Sequence, residues 1–190
     1  MSTQVIDFNN VENVVFNGNE VEALKLNDVV VWEGFKKLSQ LIDKSIESVT
    51  AEDLEGVTKI GSYAFYDCLN LTSLTLPSSL ISIGTSAFSN CLNLTSLALP
   101  SSLTSLSDSA FSYCDGLTSV VIPENVTSLG TSCFQHCYHL TTMRFLPTTP
   151  PTIGISSIPT GAIQRIEVPS ASLSAYKDSY TDFKNIIVGV

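Results

Sequence analysis

Four side chains that lie close together in the sequence combine the two residue types that most often bind zinc. Cys133, His136, Cys137 and His139 fall within seven residues, and thiolate and imidazole groups are the usual ligands of structural zinc sites. A second interpretation is a hydrolase with a base at the His136/His139 turn. The sequence shows no nucleophile–base pair, phosphate-binding loop or clustered acid pair that would complete an active site. We therefore predict that the protein is not an enzyme.

The regular spacing of the cysteines favours a structural role over zinc binding. Four of them recur at one constant interval along the chain: Cys68, Cys91, Cys114 and Cys137. The fifth, Cys133, takes a position that is alanine in the three preceding repeats. Free cysteine packs as a small hydrophobic residue, so we predict a ladder of buried thiols with no metal and no cofactor. A disulfide between neighbouring repeats is an open alternative, because it needs Cα atoms only about 4.4–6.8 Å apart.

Three Asn-x-Thr sequences match the acceptor pattern for N-glycosylation, at Asn70, Asn93 and Asn125. Two of them recur because the repeat recurs, and asparagine in a turn commonly bonds to backbone groups. We interpret these asparagines as turn residues that carry no glycan.

The spacing of 23 residues between the cysteines is shared by the apolar residues around them, so the whole segment is a sequence repeat. Each repeat, here called a rung, begins with a segment that alternates apolar and small polar residues, as a half-buried strand does. Four such segments align: Leu71–Pro77, Leu94–Pro100, Leu117–Pro123 and Leu140–Phe145. A phenylalanine then follows in each rung and is expected to point inward: Phe65, Phe88, Phe111 and Phe134. A fixed period of this length with an L-x-x-L-x-L core predicts a leucine-rich-repeat solenoid, mainly β with short helices.

The repeat phase extends beyond these four rungs in both directions. Downstream, 163–169 is predicted to be a fifth strand in register, followed by a C-cap over 170–190. In this C-cap Ser170 caps a short helix and 183–189 forms a last strand. Upstream, an N-cap over 37–56 should contain a helical face over 38–46. Thr50 and Asp53 then form a helical turn that takes the place of a strand. We therefore predict one capped solenoid over 37–190.

Residues 1–36 do not follow the period and are predicted to form a small β-meander. Three strand-like segments with a hairpin signal at Asn17-Gly18 support this prediction. A unit of this size is too small to be stable alone, so it should attach to another surface or drive oligomerisation. The apolar residues predicted to make that attachment are Val15, Phe16, Leu24, Leu26 and Trp32.

The composition excludes two classes of partner. The net charge is −9, only 14% of residues are charged, and no Lys or Arg occurs between Lys59 and Arg144. The repeats therefore offer no basic stripe for nucleic acid. No apolar run is long enough to span a membrane. The N-terminus has no pattern of a signal peptide, which we interpret as synthesis and release in the cytoplasm.

Windows of the repeat resemble the BspA-type leucine-rich-repeat family over roughly residues 40–190. The resemblance is carried by Leu71–Cys91, Leu94–Cys114, the lead-in Ala51–Phe65 and the end from Val168 to Tyr176. It implies a right-handed solenoid with a role in adhesion or protein contact, in bacterial surface proteins, protists or phage structural proteins. The N-terminal segment is similar to short modules of phage tail and head-appendage proteins.

The outward side of the strand ladder is the predicted interaction face. Its side chains are small and nearly uncharged: Ser73, Thr75, Ser96, Ala98, Ser119, Val121, Thr142 and Arg144. We predict a virion component that is anchored by its N-terminus and contacts other virion proteins, copies of itself, or a host-surface protein or glycan. The alternative is a bacterial cell-surface adhesin. Aromatic residues near the Phe–Cys turn, such as Tyr113 and Tyr138, offer a second edge for sugar or receptor contact.

Overall fold

The computed structural model describes residues 46–54 and 56–190. The predicted meander over 1–36, with its attachment residues Val15, Phe16, Leu24, Leu26 and Trp32, lies outside the described residues. So does most of the helical face predicted over 38–46. The division into a meander and a solenoid therefore stays a prediction. None of the helices in the described ranges is long and apolar enough to cross a membrane.

The first five rungs each contribute one strand to each of two parallel walls, here called the front wall and the back wall, and among the described residues the last two front strands have no partner strand in the back wall. The front strands are β1 (Ser48–Val49), β3 (Ser73–Thr75), β5 (Ser96–Ala98), β7 (Ser119–Ile122), β9 (Thr142–Phe145), β11 (Arg165–Val168) and β12 (Ile187–Gly189). The back strands are β2 (Lys59–Ile60), β4 (Ser82–Ile83), β6 (Ser105–Leu106), β8 (Ser128–Leu129) and β10 (Thr152–Ile153). The predicted solenoid with its period of 23 is confirmed, because Leu74 pairs with Leu97, and Ile83 with Leu106.

Hydrogen-bonded turns form a third wall, here called the turn wall, between the back strand of one rung and the front strand of the next. In the first complete turn, Tyr63 and Phe65 donate their N–H groups to carbonyls of the following rung, at 2.9 and 2.7 Å. The residues between them, such as Ala64, bond within the rung instead. Two residues of each turn in the four rungs from Tyr63 to His136 lie in the left-handed region, among them Ser109 (φ 54°) and Tyr113 (φ 60°). A non-glycine residue pays on the order of 1–2 kcal/mol for that conformation.

The core between the walls is a set of columns of identical or similar side chains. The predicted phenylalanine column is confirmed, with centroids of successive rings 4.9, 5.2 and 5.5 Å apart and ring planes within 3–7° of parallel. A column of leucines that lie just before the front strands is also fully buried: Leu71, Leu94, Leu117 and Leu140. Because every rung buries the same positions, the apolar side of one rung is covered only when its neighbours are present.

The C-terminal end is closed by a helix that the solenoid rungs lack. Helix α1 (Leu173–Ser179) follows a 3₁₀ turn at Ser170–Ser172. It buries Tyr176 against Phe145, with ring centroids 5.7 Å apart. The hydroxyls of Tyr176 and Tyr180 donate to the carbonyls of Pro147 and Pro151, both at 2.7 Å. These two bonds fix the proline-rich loop and satisfy the buried phenols, which would otherwise carry a desolvation penalty.

Three details of the predicted caps are wrong. A front strand is present in the first rung, because β1 lies just before Thr50 and pairs Ser48 with Ser73. The turn after it does contain the predicted reciprocal bonds between Thr50 and Asp53. Ser170 caps no helix, since its hydroxyl donates to the Val190 carbonyl at 3.2 Å. The last strand begins at Ile187, because 181–183 forms a 3₁₀ turn that buries Phe183.

The front wall is interrupted between β5 and β7, while the back wall is continuous. The front strands form one sheet in the order β1-β3-β5 and a second in the order β12-β11-β9-β7. Thr95 and Thr141 each donate an N–H to the carbonyl one rung earlier, at 2.9 and 3.0 Å, and within the described part of the chain Thr118 makes no such bond to Thr95. Beside this interruption Leu97 is only partly buried, whereas the equivalent Leu74 and Val120 are buried.

Candidate functional site

The structure separates the four residues that suggested zinc. Cys133 and Cys137 are buried in the core, whereas the side chain of His139 is 70% exposed and His136 is half-buried at the surface of the turn wall. Among residues 46–54 and 56–190, no group of three or more His, Cys, Asp or Glu side chains could hold a metal ion. The four side chains therefore do not converge on one point, as the ligands of a zinc ion must.

The cysteine column is confirmed as a set of buried free thiols. The Sγ atoms of Cys91, Cys114 and Cys137 each donate to a phenylalanine carbonyl of the preceding rung, at 3.2–3.3 Å. Burial raises the pKa of Cys137 to about 12 and raises the pKa of Cys133 well above its usual range. Because the thiolate is the reactive form, these side chains are chemically quiet in the folded protein.

We expect the thiols to be unreactive until the solenoid unfolds. In a titration with a thiol-specific chromogenic reagent at mildly alkaline pH, the folded chain should react negligibly. All five cysteines should react in concentrated guanidinium chloride, because unfolding exposes thiols that are buried in the folded chain. A count of three or one under reducing-agent-free denaturing conditions would instead show that rungs are bridged by disulfides. Rapid reaction of the folded chain would contradict the buried ladder.

The predicted interaction residues lie together on the front wall. Register pairs place them in two columns: Ser73, Ser96, Ser119 and Thr142 in one, and Thr75, Ala98, Val121 and Arg144 in the other. Ser73 and Thr142 are half-buried, and the other six are exposed. The columns are broken between β5 and β7, which do not pair. The face is therefore nearly uncharged but consists of two panels.

The C-terminal end of this face is charged, which the sequence reasoning did not include. β11 pairs Arg165 with Thr142 and Glu167 with Arg144. Arg165 Nε donates to Glu167 Oε1 at 2.8 Å, and Arg144 Nε lies 4.0 Å from Glu167 Oε2. Glu167 thus offsets one of the two positive charges, and ion pairs at such half-exposed positions contribute little to stability. Extending the two columns by one more period would have found both residues.

The turn wall carries a compact group of exposed rings, here called the aromatic edge, formed by Tyr113, His136 and Tyr138. The ring centroids of Tyr113 and His136 are 4.3 Å apart in a stacked arrangement, and those of His136 and Tyr138 are 5.5 Å apart. His136 Nδ1 lies 2.7 Å from the Tyr138 hydroxyl. Tyr138 is 63% exposed and Tyr113 is 44% exposed. The prediction of aromatic residues near this turn is confirmed, although no comparison tests what they contact.

A carboxylate lies beside these rings and fixes the turn. Asp115 Oδ1 accepts the Tyr138 backbone N–H at 2.9 Å and lies 3.0 Å from His139 Nδ1. The same column carries Leu69 and Leu92 in the two earlier rungs, where both are exposed. In the earlier rungs Asn93 also bridges rungs, because its side-chain amide donates to the Leu69 carbonyl at 2.8 Å. This bond agrees with the interpretation of that sequon asparagine as a turn residue.

Comparison with known proteins identifies the repeat. A family model described as the BspA type leucine rich repeat region matches residues 58–186 in six copies. A solved leucine-rich-repeat protein of T. pallidum is 28% identical with a TM-score of 0.60, over 66% of this chain and 60% of that one. A leucine-rich cell surface protein of Faecalibacterium prausnitzii A2-165 is 26% identical with a TM-score of 0.50, over 76% and 36%.

The pneumococcal vaccine antigen PcpA shares the fold alone, at 21% identity and a TM-score of 0.55 over 76% of this chain and 40% of that one. The chain thus spans between 36% and 60% of the length of these three structures. No curated protein sequence matches it significantly. None of the three structures is described as a virion protein, so they give the predicted virion role no support. The description of the Faecalibacterium protein as a cell surface protein fits the alternative, a bacterial cell-surface adhesin.

Proposed function

Because the chain belongs to the BspA-type leucine-rich-repeat family, we propose that it is a non-enzymatic binding protein of a bacterial cell surface. Its solenoid presents the front wall to a partner macromolecule. This proposal takes the adhesin alternative in preference to a virion component. It is supported by the family match and by a structural relative whose description places that relative at the cell surface.

The observation that carries the proposal is the small, uncharged character of the exposed front-wall columns. From Ser73 to Val121 the outward positions hold only Ser, Thr, Ala and Val. Burying such side chains against a partner displaces little tightly bound water and orders few rotatable bonds, so the usual costs of association are low. The stacked rungs hold the face rigid, which lowers those costs further.

The first test is where the protein resides. Intact cells of the source organism would be labelled with a membrane-impermeant biotin reagent, and the labelled fraction would be probed for this polypeptide by mass spectrometry. The proposal expects labelling in intact cells and loss of the protein after brief protease treatment of those cells. Recovery only after lysis, or co-sedimentation with phage particles in fixed ratio to a capsid protein, would overturn it.

The second test is whether the front wall makes the contact. We expect Ala98→Arg to reduce binding of the purified chain to host cells about tenfold or more, because a long charged side chain prevents close approach and adds a desolvation penalty. Ser78→Arg is the matched control, since Ser78 is exposed on a turn away from the front wall. Flow cytometry of labelled protein gives both affinities. Equal binding by both variants would contradict the use of this face.

A further inference from the structure

The aromatic edge has a feature that packing does not explain. Tyr113 and His136 both adopt left-handed backbone conformations, with φ of 60° and 61°. The same position in the two earlier rungs holds Asp67 and Asn90, and asparagine and aspartate tolerate this conformation better than bulky side chains do. Histidine shares that tolerance, so Tyr113 is the residue in this column that carries its ring at an energetic disadvantage.

The rings at this edge are arranged as a fixed surface. Tyr113 stacks on His136, and the bond between His136 Nδ1 and the Tyr138 hydroxyl holds the third ring against them. The backbone of Tyr138 is in turn fixed by Asp115 of the preceding rung. Side chains that are ordered before a ligand arrives lose little entropy on binding. The edge is therefore preorganised rather than a set of mobile tyrosines.

The charge around the aromatic edge restricts the ligand. No Lys or Arg occurs between Lys59 and Arg144, whereas the carboxylate of Asp115 lies beside the edge, 3.0 Å from His139 Nδ1. An anionic ligand, such as a sulfated or sialylated glycan or a nucleic acid, would meet no Lys or Arg from residues 60–143 and would be repelled by that carboxylate. An uncharged ligand with an apolar face and hydrogen-bonding groups at its rim meets no such penalty.

We propose that the aromatic edge, Tyr113, His136 and Tyr138 with Asp115 and His139 beside them, is a binding site for a neutral glycan. A pyranose ring presents aliphatic C–H groups on one face, which pack against an aromatic ring, and hydroxyls at its rim. The phenol of Tyr138, the imidazole of His139 and the carboxylate of Asp115 supply donors and acceptors for those hydroxyls. Three rings on two rungs also form a small patch, far below the roughly 800 Å² per partner of a standard protein interface.

This site is separate from the front wall, so it can be tested independently of the proposed function. The purified full chain would be applied to an array of neutral oligosaccharides ending in galactose, glucose or N-acetylglucosamine, together with sialylated and sulfated counterparts. We expect binding to at least one neutral oligosaccharide and weaker binding to its anionic counterpart. Absence of binding to every neutral oligosaccharide on the array would overturn the proposal.

Variants identify the residues responsible on the oligosaccharide that binds. Tyr138→Ala should weaken binding about tenfold or more, since it removes the most exposed ring. Tyr138→Phe keeps that ring and should weaken binding only a few-fold. Tyr63→Ala is the matched control, because Tyr63 is exposed on the same wall three rungs from Tyr138 and packs against Tyr66 instead. Equal affinity of Tyr138→Ala and Tyr63→Ala would show that the glycan binds elsewhere.

The outcomes separate this proposal from the one before it. Tyr138→Ala should leave the thermal unfolding of the chain unchanged, because the side chain is exposed and outside the core. If the chain binds cells through the front wall but no neutral glycan, the aromatic edge proposal fails and the proposed function stands. If the chain binds a neutral glycan, Tyr138→Ala abolishes that binding, and surface labelling fails, then the aromatic edge proposal stands and the proposed function fails.

Discussion

Replacing Phe111 by alanine is expected to lower the free energy of unfolding by about 3–5 kcal/mol, the usual cost of removing a buried aromatic ring. Phe111 is fully buried and stacks between Phe88 and Phe134 at centroid distances of 5.2 and 5.5 Å. Its loss leaves a cavity in the middle of the column and removes ring contacts on both faces. Urea unfolding of the full chain, followed by far-UV circular dichroism, measures the change.

The control for this variant is Leu92→Ala, since Leu92 is an apolar residue that is 42% exposed on the turn wall one rung earlier. It should change the free energy of unfolding by less than about 0.5 kcal/mol, as surface substitutions usually do. Phe111→Leu keeps part of the volume and should fall between the two variants. A Phe111→Ala loss no larger than that of Leu92→Ala would show that the ring column does not support the stack.

Gly130→Ala is expected to destabilise the chain by roughly 1–3 kcal/mol, the usual cost of an overpacked site. A Cβ atom added at Gly130 would lie 2.4 Å from the Asp108 nitrogen and 2.5 Å from the Ser107 carbonyl carbon. Both atoms belong to the backbone of the preceding rung, so no side-chain rotation can relieve the clash. Relief requires two rungs to separate. Calorimetric melting of the variant and the parent chain measures the effect.

Gly161→Ala is the matched control, because a Cβ atom at Gly161 meets nothing within 4 Å. Ser107 occupies the equivalent position one period before Gly130 and one period after Gly84, so this position already carries one Cβ atom. Its N–H bonds to Ile83 at 3.1 Å, whereas Gly84 and Gly130 make the equivalent bonds at 2.8 Å. If Gly130→Ala melts at the same temperature as Gly161→Ala, the rungs around Gly130 can separate enough to admit a Cβ atom without cost, and the prediction is wrong.

The period accounts for most of what the sequence predicts correctly. Because a solenoid stacks each rung on the next, one constant spacing fixes which residues become neighbours without any other information. It correctly placed the cysteines beneath one another, the phenylalanines in one column and Arg165 to Val168 as a strand beside β9. The family follows from the same windows. The meander over 1–36 and the virion role had no such periodic support.

The sequence did not reveal the features in which segments with the same residue pattern adopt different structures. Leu94–Pro100 and Leu117–Pro123 both have the alternation of a strand, yet β5 and β7 do not pair. The first front strand is displaced from the repeat phase, because subtracting one period from Ser73 points to Thr50, whereas the residue that pairs with Ser73 is Ser48. Ser170 has the residue type of a helix cap, but the Val190 carbonyl takes its hydroxyl. Tertiary contacts decide each case.

The interruption of the front wall also has a mechanical consequence. Between the rung of β5 and the rung of β7, hydrogen bonds join the stack through the pairing of β6 with β8 and through turn-wall bonds such as Phe111 to Cys133. Neighbouring rungs farther along are joined on the front side as well, where β7 and β9 pair over four residues. A force that bends the stack backward would therefore open the front of the molecule at this joint, hinged on the back wall, before it separated any other pair of rungs.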